Sequence, residues 1–176
     1  YEFGDAKLSD LDIVKNAYKN NLSMGSTINI EESKKPKFLV WATADSLGAP
    51  LQRIQIIKGW LENGKHKERV FDVACSDELM VNTSNFRCPD NDAKVNIETC
   101  EVTQNSGASE LKSFWEDPDF LKDQEAFYYV RVLENPVCRW STWDSIRAGF
   151  KPRSDIPATI QERAWTSPIW FEPSNS

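Results

Sequence analysis

The sequence predicts a mainly β protein, an antiparallel sandwich immunoglobulin-like in character, with short helices near its C-terminal end. Three observations carry this. Phe127–Leu133 (FYYVRVL) is dense in aromatic and β-branched residues, the composition of a strand interior. Leu51–Trp60 (LQRIQIIKGW) alternates with period two. Asn63-Gly64 then separates it from the apolar stretch Glu68–Ala74, and both residues tolerate the positive φ of a tight hairpin.

From the N-terminus, Tyr1–Asn21 is polar, and Ser9 or Asp10 can cap a short helix through Leu11, Val14 and Tyr18. Met24-Gly25 marks a turn before a short strand at Ser26–Ile30, and Glu31–Lys37 is a solvated connector. Residues 1–36 are therefore expected to form an N-terminal connector, and residues 37–176 one sandwich domain. Lys37–Ala44 is the first strong strand. With Leu51–Trp60 and Glu68–Ala74 it is expected to form a three-stranded meander.

Residues 76–105 are poor in hydrophobes and are expected as a long excursion pinned by a disulfide. Phe127–Leu133 follows as the central strand, with Tyr128, Val130 and Val132 on one face and Phe127, Tyr129, Arg131 and Leu133 on the other. Asn135-Pro136 stops it, because proline offers no N–H to a ladder. Ser141–Ala148 reads as a short helix ended by Gly149, and Pro157–Arg163 as a second with Pro157 in its first turn. An aromatic tail, Ala164–Phe171, closes the chain.

A net charge of −6 and a pI near 4.9 disfavour nucleic acid and anionic membrane as partners. No apolar run approaches the length of a membrane helix, so no membrane insertion is expected. The chain opens on Tyr1 with no signal-peptide pattern and reads as an excised piece. Four cysteines without any CxxC suit two disulfides in an exported protein better than a zinc site. The expected pairing is Cys88–Cys100 and Cys75–Cys138, one of three connectivities that the count allows.

Catalytic signatures are sparse. His66, the single histidine, sits between Lys65 and Lys67 just after the turn, a solvated position. No glycine-rich phosphate loop is present. Asp117, Asp119 and Asp123 are candidate calcium ligands, although their spacing misses the EF-hand loop. No catalytic or cofactor-binding residue is assigned. Arg139, Trp140, Trp143, Trp165 and Trp170 are the candidate interface or ligand-contact residues. Arg131, Arg139, Arg147 and Arg163 lie near aromatics in the sequence, suited to cation–π stacking and to ion pairs with Asp144 or Glu162.

Five segments, LQRIQIIKGW (Leu51–Trp60), FDVAC (Phe71–Cys75), DPDF (Asp117–Phe120), FYYVRVLENPVCRWSTWD (Phe127–Asp144) and ATIQERAWTSPIW (Ala158–Trp170), resemble the C-terminal region of the bacterial family called domain of unknown function 3604. The likeness covers roughly Met24 to Phe171. It implies a parent that is longer, exported or lipid-anchored, whose preceding half resembles metal-dependent phosphoesterases of the polymerase-and-histidinol-phosphatase type. This chain would then be the non-catalytic C-terminal accessory end of a metal-dependent hydrolase, partnered by that catalytic half. Two alternatives stay open: a carbohydrate-binding sandwich, or a domain lending substrate-contacting arginines to the hydrolase site.

Overall fold

The computed structural model describes residues 7–30 and 35–173. The described elements run α1 (Ile13–Asn20), β1 (Thr27–Ile30), β2 (Lys37–Thr43), β3 (Leu51–Glu62), β4 (Lys65–Cys75), β5 (Glu110–Glu116), β6 (Ala126–Glu134), β7 (Val137–Cys138), α2 (Trp140–Arg147), β8 (Thr159–Ile160), β9 (Arg163–Trp165) and β10 (Ile169–Pro173). The fold is mainly β. The principal sheet has the order β1-β10-β6-β3-β4, with β9 also on β6, and a smaller sheet pairs β2 with β5.

Period-two alternation decides what each face of the principal sheet meets. Ile54 and Ile56 of β3, Phe71 of β4, Tyr128 of β6 and Phe171 of β10 point inward onto Val40 of β2 and Leu111 of β5 in one apolar core. Aromatic rings bridge the two sheets: Phe38 meets Tyr128 with centroids 5.0 Å apart, and Phe71 meets Trp115 at 5.1 Å. The opposite face carries Phe127, Tyr129, Arg131 and Leu133 of β6 beside Gly59, Ile57, Gln55 and Arg53 of β3.

Phe127–Leu133 is central as expected, between β3 on one side and β9 and β10 on the other. Asn63 and Gly64 take φ of 51° and 73° and close the β3–β4 hairpin. The three-stranded meander is corrected: β2 leaves β3 and pairs with β5 along its whole length, Lys37 opposite Glu116 through Thr43 opposite Glu110. The strand pattern at Lys37–Ala44 specifies a half-buried ribbon but not its neighbour, which here comes from about seventy positions downstream.

The stretch expected as a connector contributes α1 and β1, and β1 extends the principal sheet by pairing with β10 in parallel, Thr27 opposite Trp170. The helix expected at Ser141–Ala148 is α2, and Gly149 ends it at φ 72°, its N–H donating to Ile146 O. The second C-terminal helix is corrected. Pro157–Arg163 gives β8, which pairs with β7, and the start of β9, which pairs with β6. Tertiary pairing of the β-branched Thr159 and Ile160 overrides the helix-start signal of Pro157.

Both expected disulfide pairings are corrected. The bonds are Cys75–Cys88, with Cα atoms 5.7 Å apart, and Cys100–Cys138, at 5.6 Å. The reason lies in the backbone. Asp72 N–H donates to Phe86 O and Cys88 N–H to the Asp72 carboxylate, so residues 86–88 run back along the free edge of β4 and deliver Cys88 to Cys75. Cys100 is then left, buried, beside Cys138 of β7. The excursion over residues 76–105 is tied to the framework at two points rather than closed on itself.

Candidate functional site

The outward face of the principal sheet concentrates polar groups where a sandwich surface is ordinarily a mosaic. Asp72 of β4 is its centre, with a fully buried side chain. Its carboxylate accepts from Gln55 Nε2 at 2.6 Å, Cys88 N at 2.7 Å, Arg53 Nη1 at 3.3 Å and Arg87 Nη1 at 3.4 Å. Four donors around one buried carboxylate offset the cost of taking it out of water. Gln55, buried, passes the order outward: its Oε1 accepts from Arg131 Nε at 2.7 Å.

A β-bulge completes the arrangement. The β3–β6 register slips between Leu51 and Arg53, which lets the adjacent Gln52 and Arg53 side chains meet. Gln52 Oε1 accepts from Arg53 Nη2 at 2.7 Å, Arg53 Nε at 3.0 Å and Gln161 Nε2 at 3.0 Å. Arg53 is thus gripped from two sides. Around it opens a cleft of about 610 Å³ lined by Gln52, Arg53, Asp90, Thr159, Gln161 and Arg163, among others. An apolar hollow of about 310 Å³ lies elsewhere, between α1 and the inner sheet faces, lined by Val14, Ile28, Val40, Ile54 and Val130. The cleft holds the charge; the hollow is lined mostly by apolar side chains.

Beside the cleft the loop contributes Asp77. Burial opposes its ionisation, but hydrogen bonds from Ser76, Asn91 and the Gly107 N–H together outweigh that and hold its carboxyl below the ordinary value. Asn91 also donates to Asn135 Oδ1 at 2.9 Å, joining the loop to the end of β6.

The sequence-derived candidates occupy two separate places. Trp140 and Trp143 stand one helical turn apart on α2 and are exposed, and the Arg147 guanidinium lies 5.2 Å from the Trp143 ring centroid. Arg139 precedes them, with Nε buried and without a partner among the described residues. Trp165 and Trp170 lie on the outward sheet face, opposite Arg131 and Phe127 respectively. Among the described residues no ring contact links any two of Trp140, Trp143, Trp165 and Trp170.

The expected ion pairs are corrected: among the described residues Asp144 and Glu162 form no ion pair, and the buried carboxylates that do are Asp72, with Arg53 and Arg87, and Asp117, with Lys58. The calcium reading of Asp117, Asp119 and Asp123 is likewise corrected. Asp117 is buried and taken by Lys58 Nζ and the Tyr128 hydroxyl, Asp119 pairs with Arg69, and Asp123 points to solvent. Among the described residues no three His, Cys, Asp or Glu side chains converge on a metal-sized site. His66 is exposed on β4 opposite Leu61.

Sequence reading missed Gln52, Arg53, Gln55, Asp72, Arg87 and Gln161. The usable signal was the pair Arg53 and Gln55 at alternate positions of a strand whose other face carries Ile54 and Ile56, with Asp72 set between Phe71 and Val73 of the return strand. Polar residues there need partners, and the loop that buries them is remote in sequence.

No helix among the described residues is long and apolar enough to cross a membrane. No curated protein and no solved structure matches the chain. The family model described as Protein of unknown function (DUF3604) matches residues 1–173, and the chain belongs to that family.

Proposed function

We propose that this chain is a non-catalytic accessory domain of a larger exported hydrolase, seated on the catalytic portion through the surface of α2. The observation that carries this reading is the exposure of large aromatics on a helix anchored firmly from behind. Trp140 is 75% exposed and Phe150, just past the helix, 73%. Behind them Thr142 is buried with its hydroxyl donating to Ala158 O at 2.8 Å, and Cys138 is held by its disulfide. A helix presenting two tryptophans to water, with a phenylalanine just past its end, has the anatomy of an interface core. Two disulfides suit export to an oxidising compartment.

The test is association. The catalytic portion of a longer family member and this chain, produced separately, are titrated against each other by calorimetry. Saturable binding, weakened about tenfold or more by Trp140→Ala with Trp143→Ala, is the expected result. Indifference to that double substitution would overturn the docking surface, and absence of binding would overturn the reading as a whole.

The carbohydrate-binding reading needs coplanar rings on one face. On the outward sheet face Phe127 and Tyr129 lie within 14° of parallel, but Trp170 is tilted 46° to Phe127. The rings do not form a flat tryptophan platform, so this reading stands second.

A further inference from the structure

We infer that the cleft between the β3 bulge and the β8–β9 segment binds an oxyanion group, a carboxylate, sulfate or phosphate, gripped by Arg53 and Arg163. The protein is acidic overall, yet around this cleft stand four guanidinium groups, those of Arg53, Arg87, Arg131 and Arg163, against the three carboxylates Asp72, Asp77 and Asp90. Local charge opposite in sign to the whole is a feature that steers a ligand of the whole protein's own sign.

The site is built rather than accidental. Arg53 has a side chain only 21% exposed and is fixed in place by Gln52 Oε1, through Nε and Nη2, and by the buried Asp72. A guanidinium held in one orientation loses little freedom when it forks onto an oxyanion. Gln52 is held in turn by Gln161, which also donates to Glu134 O at 3.1 Å. Facing this fixed floor, Arg163 lines the cleft and makes no ion pair or side-chain hydrogen bond among the described residues. Arg131 sits diagonal to both, since its neighbours are Gln55 and Trp165 while Leu133 faces Arg53 and Arg163. Its guanidinium makes one hydrogen bond among the described residues, from Nε, which leaves both terminal nitrogens as donors. Asp90, on the rim, opposes the charge and selects for a ligand that also brings donors such as hydroxyls. Glu162, between β8 and β9, lines a different hollow.

This inference does not rest on docking and is tested on the chain alone. Sodium sulfate, phosphate and acetate are titrated at fixed ionic strength against a chloride reference, followed by calorimetry and thermal unfolding. At least one oxyanion is expected to bind saturably, and the arm that responds assigns the chemistry. Arg163→Gln should weaken that binding about tenfold, and Arg163→Gln with Arg131→Gln should weaken it further. Circular dichroism of both variants should match the parent, because neither arginine holds a buried charge. Chloride-like behaviour of all three oxyanions, or binding unchanged in both variants, overturns the assignment.

Discussion

Lys58 and Asp117 form an ion pair almost wholly withdrawn from water: Nζ lies 2.6 Å from Oδ2, with side chains 3% and 0% exposed. The pair joins β3 to the turn after β5. Lys58 also donates to Asp119 O at 2.9 Å, while Asp117 accepts from the Tyr128 hydroxyl at 2.7 Å and the Asp119 N–H at 2.8 Å. Burial first, then the bond to Asp117, pushes the Tyr128 phenol well above its ordinary value, so it stays a donor. Such a pair adds little over an apolar substitute, but halving it is costly. Lys58→Met should destabilise by about 3–5 kcal/mol in chemical denaturation. Adding Asp117→Leu should recover much of that loss, and strictly additive costs would refute the coupling.

The disulfides give a second prediction. Cys75–Cys88 closes a separation of 13 residues and Cys100–Cys138 one of 38. By chain entropy the longer is worth about 4 kcal/mol and the shorter about 3 kcal/mol. Replacing Cys100 and Cys138 by serine should therefore cost more than replacing Cys75 and Cys88. Mass mapping of non-reduced peptides should recover these two links; a Cys88–Cys100 peptide would contradict the fold around the excursion.

The strands were legible in the sequence where the signal was local. Alternation exposed β3, Asn63-Gly64 gave its hairpin to the apolar return strand β4, and the aromatic run gave β6 as the centre. Partners chosen over long separations were not legible. Nothing in KFLVWAT says that it pairs with ELKSFWE rather than with LQRIQII, since either pairing buries its apolar face. The cysteines failed for the same reason, because connectivity follows from where the chain goes between them. The cleft was least legible. Arg53, Gln55 and Asp72 look like a solvated face until the loop carrying Arg87 and Cys88 folds over them.

Glu134 should give stability a pH dependence of uncommon sign. Burial, and the nearby charges of Glu162 and Asp45, raise its carboxyl above the ordinary value despite a lowering bond from the Ala49 N–H. A raised acid is penalised when charged, so its contribution opposes folding at neutral pH and fades as pH falls through the folded value. Glu134→Gln should raise the melting temperature at pH 7 by on the order of a degree or two. The gain should vanish below about pH 4, where the unfolded carboxyl is also protonated. A constant gain from pH 3 to 8 would mean that charge is not the cause.

Gly59 shows how one absent methyl shapes the outward face. It lies on β3 directly opposite Phe127, and a Cβ there would strike the Phe127 ring, which rests on the glycine backbone. From that seat the ring packs on Tyr129 at 6.3 Å and on Trp170 at 5.1 Å between centroids. Gly59→Ala should force the ring off its rotamer and cost about 1–3 kcal/mol, as overpacking does. The sign should reverse once the ring is gone. In a Phe127→Ala background the same substitution no longer meets that ring and removes glycine's backbone freedom from the unfolded chain, a gain of roughly 0.5–1 kcal/mol. Denaturation of the four proteins in this cycle reads the coupling directly, and a Gly59→Ala effect equal in both backgrounds would show that the ring does not need the glycine.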